Sequence, residues 1–170
     1  AALAHNTSLK SLHLYNCSFG GRGMRGITEA LKTSTVIDNL DLYNIPIGDA
    51  GAEHLADLLV STSSLKDLGI QNCGVGEIGA RTIADALKID TTLELITISY
   101  SKIGDAGAAA LAGALAVNSS LKTLYAYRCG IGAVGSRAIA DALKINSSLE
   151  TLSIAANEIG DAGATALADA

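Results

Sequence analysis

The sequence predicts an α/β solenoid of six 28-residue units, each made of a short strand, a turn and a helix. Three observations carry that prediction. A glycine behind an apolar residue recurs at Gly20, Gly48, Gly76, Gly104, Gly132 and Gly160, and a second follows at Gly23, Gly51, Gly79, Gly107, Gly135 and Gly163, both series keeping one constant step. The apolar frame keeps the same register, with Leu9, Ile37, Leu65, Leu93, Leu121 and Leu149 opening the units and Leu12, Leu40, Leu68, Ile96, Leu124 and Leu152 following three positions on. Each unit also holds two periods: an alternation of two in L-x-x-L-x-[LI], then spacings of three and four in A-x-x-[LI]-A-x-A-L.

The alternating stretch suits a strand buried on one face, and the later stretch suits an amphipathic helix. An acid stands at the start of four helices, at Asp49, Glu77, Asp105 and Asp161, where its oxygens are expected to accept from the free N–H groups of the first turn. At the far end Asn6, Asp90, Asn118 and Asn146 occupy the place where a left-handed closing residue is wanted. Pairs such as Asp85 with Lys88 and Asp141 with Lys144 lie three apart, as on a solvated helix face. A longer period is superimposed. Cys17, Cys73 and Cys129 recur in every second unit, as do Arg25, Arg81 and Arg137, so the units alternate in kind. The second residue of successive units reads Lys10, Asp38, Lys66, Glu94, Lys122, Glu150, which predicts a ladder of alternating charge across adjacent parallel strands.

Composition excludes several function classes. A net charge of −5 with scattered Lys and Arg gives no basic stripe for nucleic acid. No apolar stretch approaches the roughly 20 residues of a membrane span, and AALAHNTSLK has no basic region ahead of an apolar one. Aromatics are 4% of the chain, so the core must come from Ala, Leu and Ile. No linker or composition break divides residues 1–170, which read as one domain.

The unit length, the L-x-x-L-x-L-x-x-[CN]-x-I-G pattern and the alternation of unit types resemble the leucine-rich repeats of the ribonuclease-inhibitor-like class, over essentially the whole chain. That class includes sensor regions of intracellular nucleotide-binding innate receptors and the Ran GTPase-activating protein. The resemblance implies a horseshoe with a parallel sheet on the concave face and helices on the convex face, and partners that dock on the inner face and its rim. Some residues depart from the pattern. The ninth position is Ile45 in unit two and Ser101 in unit four, which should weaken the supporting side-chain ladder there; Leu95 replaces a polar residue; GGRGMRG at 20–26 should loosen the first helix start. Ala1 to Ser8 align with the close of a preceding helix and the chain stops in ADA. The expectation is a fragment of a longer array, or ends that self-associate by stacking on neighbouring molecules, because polar capping units are missing.

Equivalent cysteines two strands apart would lie about 9.6 Å from each other at ~4.8 Å per strand, beyond the ~7 Å reach of a disulfide. Free thiols fit the reducing cytosol, which we take as the expected compartment. Ser11, His13 and Asp41 nominally supply a nucleophile, a base and an orienting carboxylate on one strand face, with His13 and Asp41 placed to hydrogen-bond. An open sheet offers them neither an oxyanion hole nor exclusion of water, so no catalysis is expected. His5 and His54 are isolated, no metal or cofactor site is legible, and the glycines are turn residues rather than a phosphate loop.

The five tyrosines occupy none of the repeat-core slots. Tyr15, Tyr43 and Tyr127 share the seventh position, Tyr125 takes the fifth and Tyr100 the eighth, all on the concave sheet or its exit. They define two patches, Tyr15 and Tyr43 with His13, Asp41, Asn16 and Asn44, and Tyr125, Tyr127 and Arg128 with Tyr100. Asp67, Gly69, Gln71, Asn72 and Thr97 lie between. Aromatics there either anchor a protein partner or pack across neighbouring strands, and the sequence leaves both open. The expected function is non-catalytic protein binding through the concave face; regulation of a small GTPase and a structural spacer role are the alternatives.

Overall fold

The computed structural model describes residues 2–170; Ala1, within the stretch aligned with a preceding helix, lies outside them. Leu3–His5 forms a single 3-10 turn. Six strands and six helices then alternate: β1 Ser11–Tyr15, α1 Gly21–Leu31, β2 Asn39–Tyr43, α2 Gly48–Ser61, β3 Asp67–Gln71, α3 Glu77–Leu87, β4 Leu95–Thr97, α4 Gly104–Leu115, β5 Thr123–Tyr125, α5 Ala133–Leu143, β6 Thr151–Ser153 and α6 Gly160–Ala168. The strands make one parallel sheet in chain order, with equivalent positions of successive units in register throughout: Leu12 faces Leu40, Leu40 faces Leu68, and so on to Leu124 and Leu152. This is the predicted leucine-rich-repeat solenoid, with the sheet on the concave side and the helices on the convex side.

Its core is a layered column. Leu40, Leu42, Leu68, Ile70, Ile96, Ile98 and Leu124 point from the strands toward Leu55, Ile83, Leu111 and Ile139 of the helices, all essentially without solvent exposure. Alanines such as Ala80 and Ala108 let the helices approach closely. Between units, helices stack on helices and strands pair with strands of adjacent units, so the stacking is one-dimensional. Asp85 and Lys88 (2.7 Å) and Asp141 and Lys144 (3.1 Å) pair on the helix surface. In the charge ladder Glu94 is held by both Lys66 (3.2 Å) and Lys122 (2.7 Å).

The helix starts correct one expectation. The acids do not cap their own helices. Asp49 Oδ1 accepts from the backbone N–H of Gly76 (2.7 Å) and Gly79 (3.0 Å), in the next unit, and Asp105 Oδ1 accepts likewise from Gly132 (2.7 Å) and Gly135 (2.9 Å). The reason lies in two kinds of turn. In even units the glycine before the acid is left-handed, with φ of 63° at Gly48 and 60° at Gly104, a conformation glycine adopts without penalty. It donates to the next unit's cysteine carbonyl, Gly48 N to Cys73 O and Gly104 N to Cys129 O, both 3.0 Å, and the acid behind it leans over the neighbour. Odd units start their helices from an extended glycine whose N–H is free to receive that carboxylate. Glu77 pairs with Arg81 instead.

A second correction concerns the helix ends. Asn6, Asp90, Asn118 and Asn146 are not left-handed; none of them has positive φ. Their side chains accept from the N–H groups two and three positions on, as Asn118 Oδ1 does from Ser120 and Leu121, while Asn118 Nδ2 donates back to Leu87 O and Asp90 O. Asn146 repeats the pattern on Leu115 and Asn118. These two asparagines tie one unit to the one before.

Candidate concave binding surface

Alternation along each strand sends every second side chain away from the core, and these side chains form the candidate surface. At its N-terminal half Tyr15 and Tyr43 stand directly opposite each other in register, their rings edge to face at 6.2 Å. Both remain exposed, Tyr15 at 48% and Tyr43 at 43%. The Tyr15 hydroxyl donates to Asp41 Oδ2 at 2.6 Å and lies 3.2 Å from His13 Nδ1. It therefore occupies the gap between imidazole and carboxylate. His13 Nδ1 and Asp41 Oδ2 are 3.8 Å apart, so the direct hydrogen bond expected between them is replaced by one through Tyr15. Hydrogen bonding to Asp41, then burial, then the carboxylate's charge raise the Tyr15 pKa above that of a free phenol.

Beside this patch the middle of the sheet is small and polar. Asp67 accepts from Asn39 Nδ2 at 3.2 Å, and Gly69 leaves a notch into which Asp41 Oδ1 and Gln71 Oε1 turn. A Cβ at position 69 would collide with both, so the glycine is what allows Asp41 to lie flat. Thr97 is almost fully buried, and Leu95 is half-buried among its polar neighbours.

The C-terminal half holds the other aromatics. Tyr100 and Tyr127 meet edge to face at 5.1 Å, the Arg128 guanidinium lies 5.6 Å from the centre of the Tyr127 ring, and Tyr125 projects from β5 with 37% of its surface exposed. An open groove of about 310 Å³ runs beside Tyr100, lined in part by Asn72, Gly76, Ser101 and Lys102. The Ser101 hydroxyl is buried there without a hydrogen-bond partner, and Ile45 offers its unit no polar group, while Asn157 at the same position holds five backbone groups of its own and the preceding unit.

The structure thus brings Tyr15, Tyr43, His13 and Asp41 together as one cluster, and Tyr100, Tyr127 and Arg128 as another, with Tyr125 beside the second. Gln71 and Asp67 lie on the strand between; Asn72 belongs to the rim. One feature of this rim escaped the sequence reading. The eighth residue of every unit is left-handed, φ 55° at Asn16 and Asn44, 53° at Asn72, 57° at Tyr100, 50° at Arg128 and 54° at Ala156. Asparagine tolerates that conformation, and the first three form a ladder in which Asn44 Nδ2 donates to Asn16 Oδ1 (2.7 Å) and Asn72 Nδ2 to Asn44 Oδ1 (2.9 Å). Three asparagines at the repeat step were the available signal. Tyr100, Arg128 and Ala156 take the same backbone without that ladder.

The thiols are free. Cys73 and Cys129 are buried, with burial pushing both pKa values up, and each donates weakly to carbonyls of its own and the preceding unit; Cys17 is half-buried. Among the described residues no helix is long and apolar enough to cross a membrane, and no three His, Cys, Asp or Glu side chains converge as a metal site.

Fold and repeats together are those of a leucine-rich-repeat solenoid. A family model described as Leucine Rich repeat matches residues 5–27, 90–112 and 146–168. Among solved structures the chain is similar to "Leiomodin-1 Actin-Binding Site 2 (ABS2)", with a TM-score of 0.74 and 19% identity over 84% of this chain and 83% of that one. It is also similar to the tropomodulin C-terminal domain of Caenorhabditis elegans, with a TM-score of 0.69 and 18% identity over 82% and 84%. At such identities the likeness is one of fold. A search of curated protein sequences gives no match.

Proposed function

We propose that this chain is a non-catalytic protein-binding module that engages its partner through the concave face. The observation that carries the reading is the placement of the aromatics. Four of the five tyrosines are exposed on the sheet side, although buried Leu, Ile and Ala already fill the core. Cross-strand packing explains the edge-to-face pairs. It does not explain why Tyr100 and Arg128 stand at turn positions where asparagine would extend the ladder. Tyrosine and arginine are also the residues that most often dominate protein interfaces. The leiomodin-1 neighbour is titled for an actin-binding site, which supports a protein partner for this fold and says nothing of which protein. The alternation of odd and even units at a 28-residue step further supports placing the chain in the ribonuclease-inhibitor-like class.

On this reading Tyr127 is the central anchor of the second patch, with Tyr15, Tyr43, Tyr100, Tyr125, Arg128, His13, Asp41, Asp67, Gln71 and Asn72 as the surrounding surface. The test starts from partners retained by the immobilised chain. Tyr127→Ala should weaken such a complex by about 2 kcal/mol, close to 30-fold in Kd. Asp85→Ala and Lys88→Ala on the helix surface should leave it unchanged. Loss with the helix variants and retention with Tyr127→Ala would move the binding surface to the convex side and overturn the proposal.

A further inference from the structure

The convex side carries an apolar patch that the fold itself does not require. Ile78 and Ile89 at the two ends of α3, Val117 at the end of α4, and Val134 and Ile145 at the two ends of α5 are between 63% and 69% exposed, more than any other large apolar side chain among the described residues. The exposed positions of α4 and its end are Ala106, Ala109, Gly113 and Val117, none of them polar. An open groove of about 280 Å³ between α4 and α5, lined in part by Ala109, Gly113, Ala138 and Ile145, crosses the same face. Contiguous apolar surface of this kind marks an interaction site. We infer that this face docks on the same face of a second copy, back to back, about a two-fold axis that crosses α3, α4 and α5 at mid-height, so that each helix lies antiparallel to its own counterpart.

The sequence is self-complementary about that axis. Ile78 and Ile89 are eleven residues apart, about three helical turns, so they share one face of α3 at equal distances from its middle. Antiparallel pairing sets Ile78 against Ile89 of the second copy, Val134 against Ile145, and Ala106 against Val117. Charges pair by the same operation. Arg81 precedes the midpoint and Asp85 follows it, at distances that agree to within one residue, about 1.5 Å along the helix, so each meets the other's counterpart across the axis. Arg137 and Asp141 repeat the exchange on α5. Arg137 has no acidic partner among the described residues, because Ala133 stands where Glu77 holds Arg81, and Asp141 engages Lys144 through Oδ1 alone. An isologous contact needs one patch that matches itself under rotation, and this one does in both shape and sign.

Side-chain size follows the curvature. Two convex faces brought together touch first at the central helix and part toward its neighbours. Alanine and glycine on α4 let the two central backbones approach closely, while isoleucine, valine and arginine on α3 and α5 reach across the widening gap. The patch also has an edge. On α2 the places of Arg81 and Asp85 are taken by Glu53 and Asp57, both exposed, so a contact extended there would oppose like charges. That repulsion keeps the contact centred on α4.

Analytical ultracentrifugation of the 170-residue chain tests this. The expected result is a dimer that grows with concentration and nothing larger, because a two-fold contact is closed. Ala109→Glu, at an exposed position of the central helix, should leave the chain monomeric with an unchanged circular dichroism spectrum. Arg137→Asp and Asp141→Arg each oppose like charges twice across the axis and should weaken the dimer by roughly tenfold or more. Mixed one to one, these two variants should recover wild-type association as a heterodimer, which a folding defect cannot mimic. Tyr127→Ala, on the concave side, should dimerise as the wild type does, so the partner-binding reading and this one stand or fall separately. A wild-type chain that stays monomeric at its highest soluble concentration would overturn the inference, as would assemblies beyond the dimer, a mixture that fails to recover association, or a dimer indifferent to Ala109→Glu and to both charge reversals.

Discussion

Replacing Asp105 by alanine removes one carboxylate oxygen that accepts two backbone N–H groups of the following unit, at 2.7 and 2.9 Å. Hydrogen bonds to a charged acceptor contribute on the order of 1.5 kcal/mol each. Measured losses of helix caps cluster near ~1 kcal/mol and reach about 2 kcal/mol. The amides left behind sit at a half-buried junction and are only partly rehydrated, so we expect a loss of ~2 to 3 kcal/mol. Asp105→Asn keeps an acceptor in place but gives up its charge at a helix N-terminus, which costs about 0.5 to 1 kcal/mol. Urea unfolding followed by circular dichroism reads both. With a slope of about 2 kcal/mol/M, the midpoint should fall by roughly 1 M for alanine and less than half that for asparagine. Asp161→Ala, at the same place in unit six but without an intrachain acceptor role, is the control and should shift nothing in dilute solution. Native-state hydrogen exchange should also quicken at the Gly132 and Gly135 amides. Equal losses for the alanine and asparagine variants, or a loss at Asp161 matching that at Asp105, would refute the cross-unit cap as the source of stability.

Glycine substitutions should divide by what faces them. Gly135→Ala drives a methyl to 2.8 Å from both Ala108 Cβ and Asp105 Oδ1 and should destabilise by about 1 to 3 kcal/mol in thermal or urea unfolding, whereas Gly113→Ala meets nothing and should stabilise α4 by ~0.5 to 1 kcal/mol. Tyr15 is held protonated by its bond to Asp41, so its folded pKa exceeds the unfolded one; that contribution is complete below the unfolded phenol's pKa and disappears as pH rises through the folded value. In a tyrosinate absorbance titration of the folded chain, Asp41→Asn should bring one late-ionising tyrosine to lower pH, and an unchanged curve would contradict the geometry. Thiol reagents should modify Cys17 first, since Cys73 and Cys129 are buried with raised pKa values; simultaneous reaction of all three in native buffer would contradict their burial.

Much of the fold was legible because a solenoid repeats each constraint. One ambiguous L-x-x-L-x-L stretch says little, but Leu12, Leu40, Leu68, Ile96, Leu124 and Leu152 in a single register fix strand pairing, orientation and buried face together. What remained illegible lies between units. Asp49 has the same neighbours in sequence whether it caps α2 or α3, and only the turn at Gly48 decides which N–H groups it reaches. Asn118 offers an acceptor forward and a donor backward, and its closing role was assigned from the helix end alone. The candidate surface was readable in part: alternation placed Tyr15, Tyr43 and Tyr125 on strands β1, β2 and β5, whereas Tyr127 falls in the turn after β5, which ends at Tyr125. Rotamers were not, so the Tyr15 hydroxyl between His13 and Asp41 had no sequence signal.

The alternation of turns has a consequence for how such a chain can change in length. Excising a single internal unit would set two like units against each other, leaving a carboxylate without its glycine amides where two even units meet, or a pair of amides without a carboxylate where two odd units meet. Adding or deleting two consecutive units preserves every cross-unit cap. The heritable module inside the array is therefore the couplet, and internal insertions or deletions should come in even numbers, with any internal change of a single unit accompanied by an altered residue at the mismatched seam.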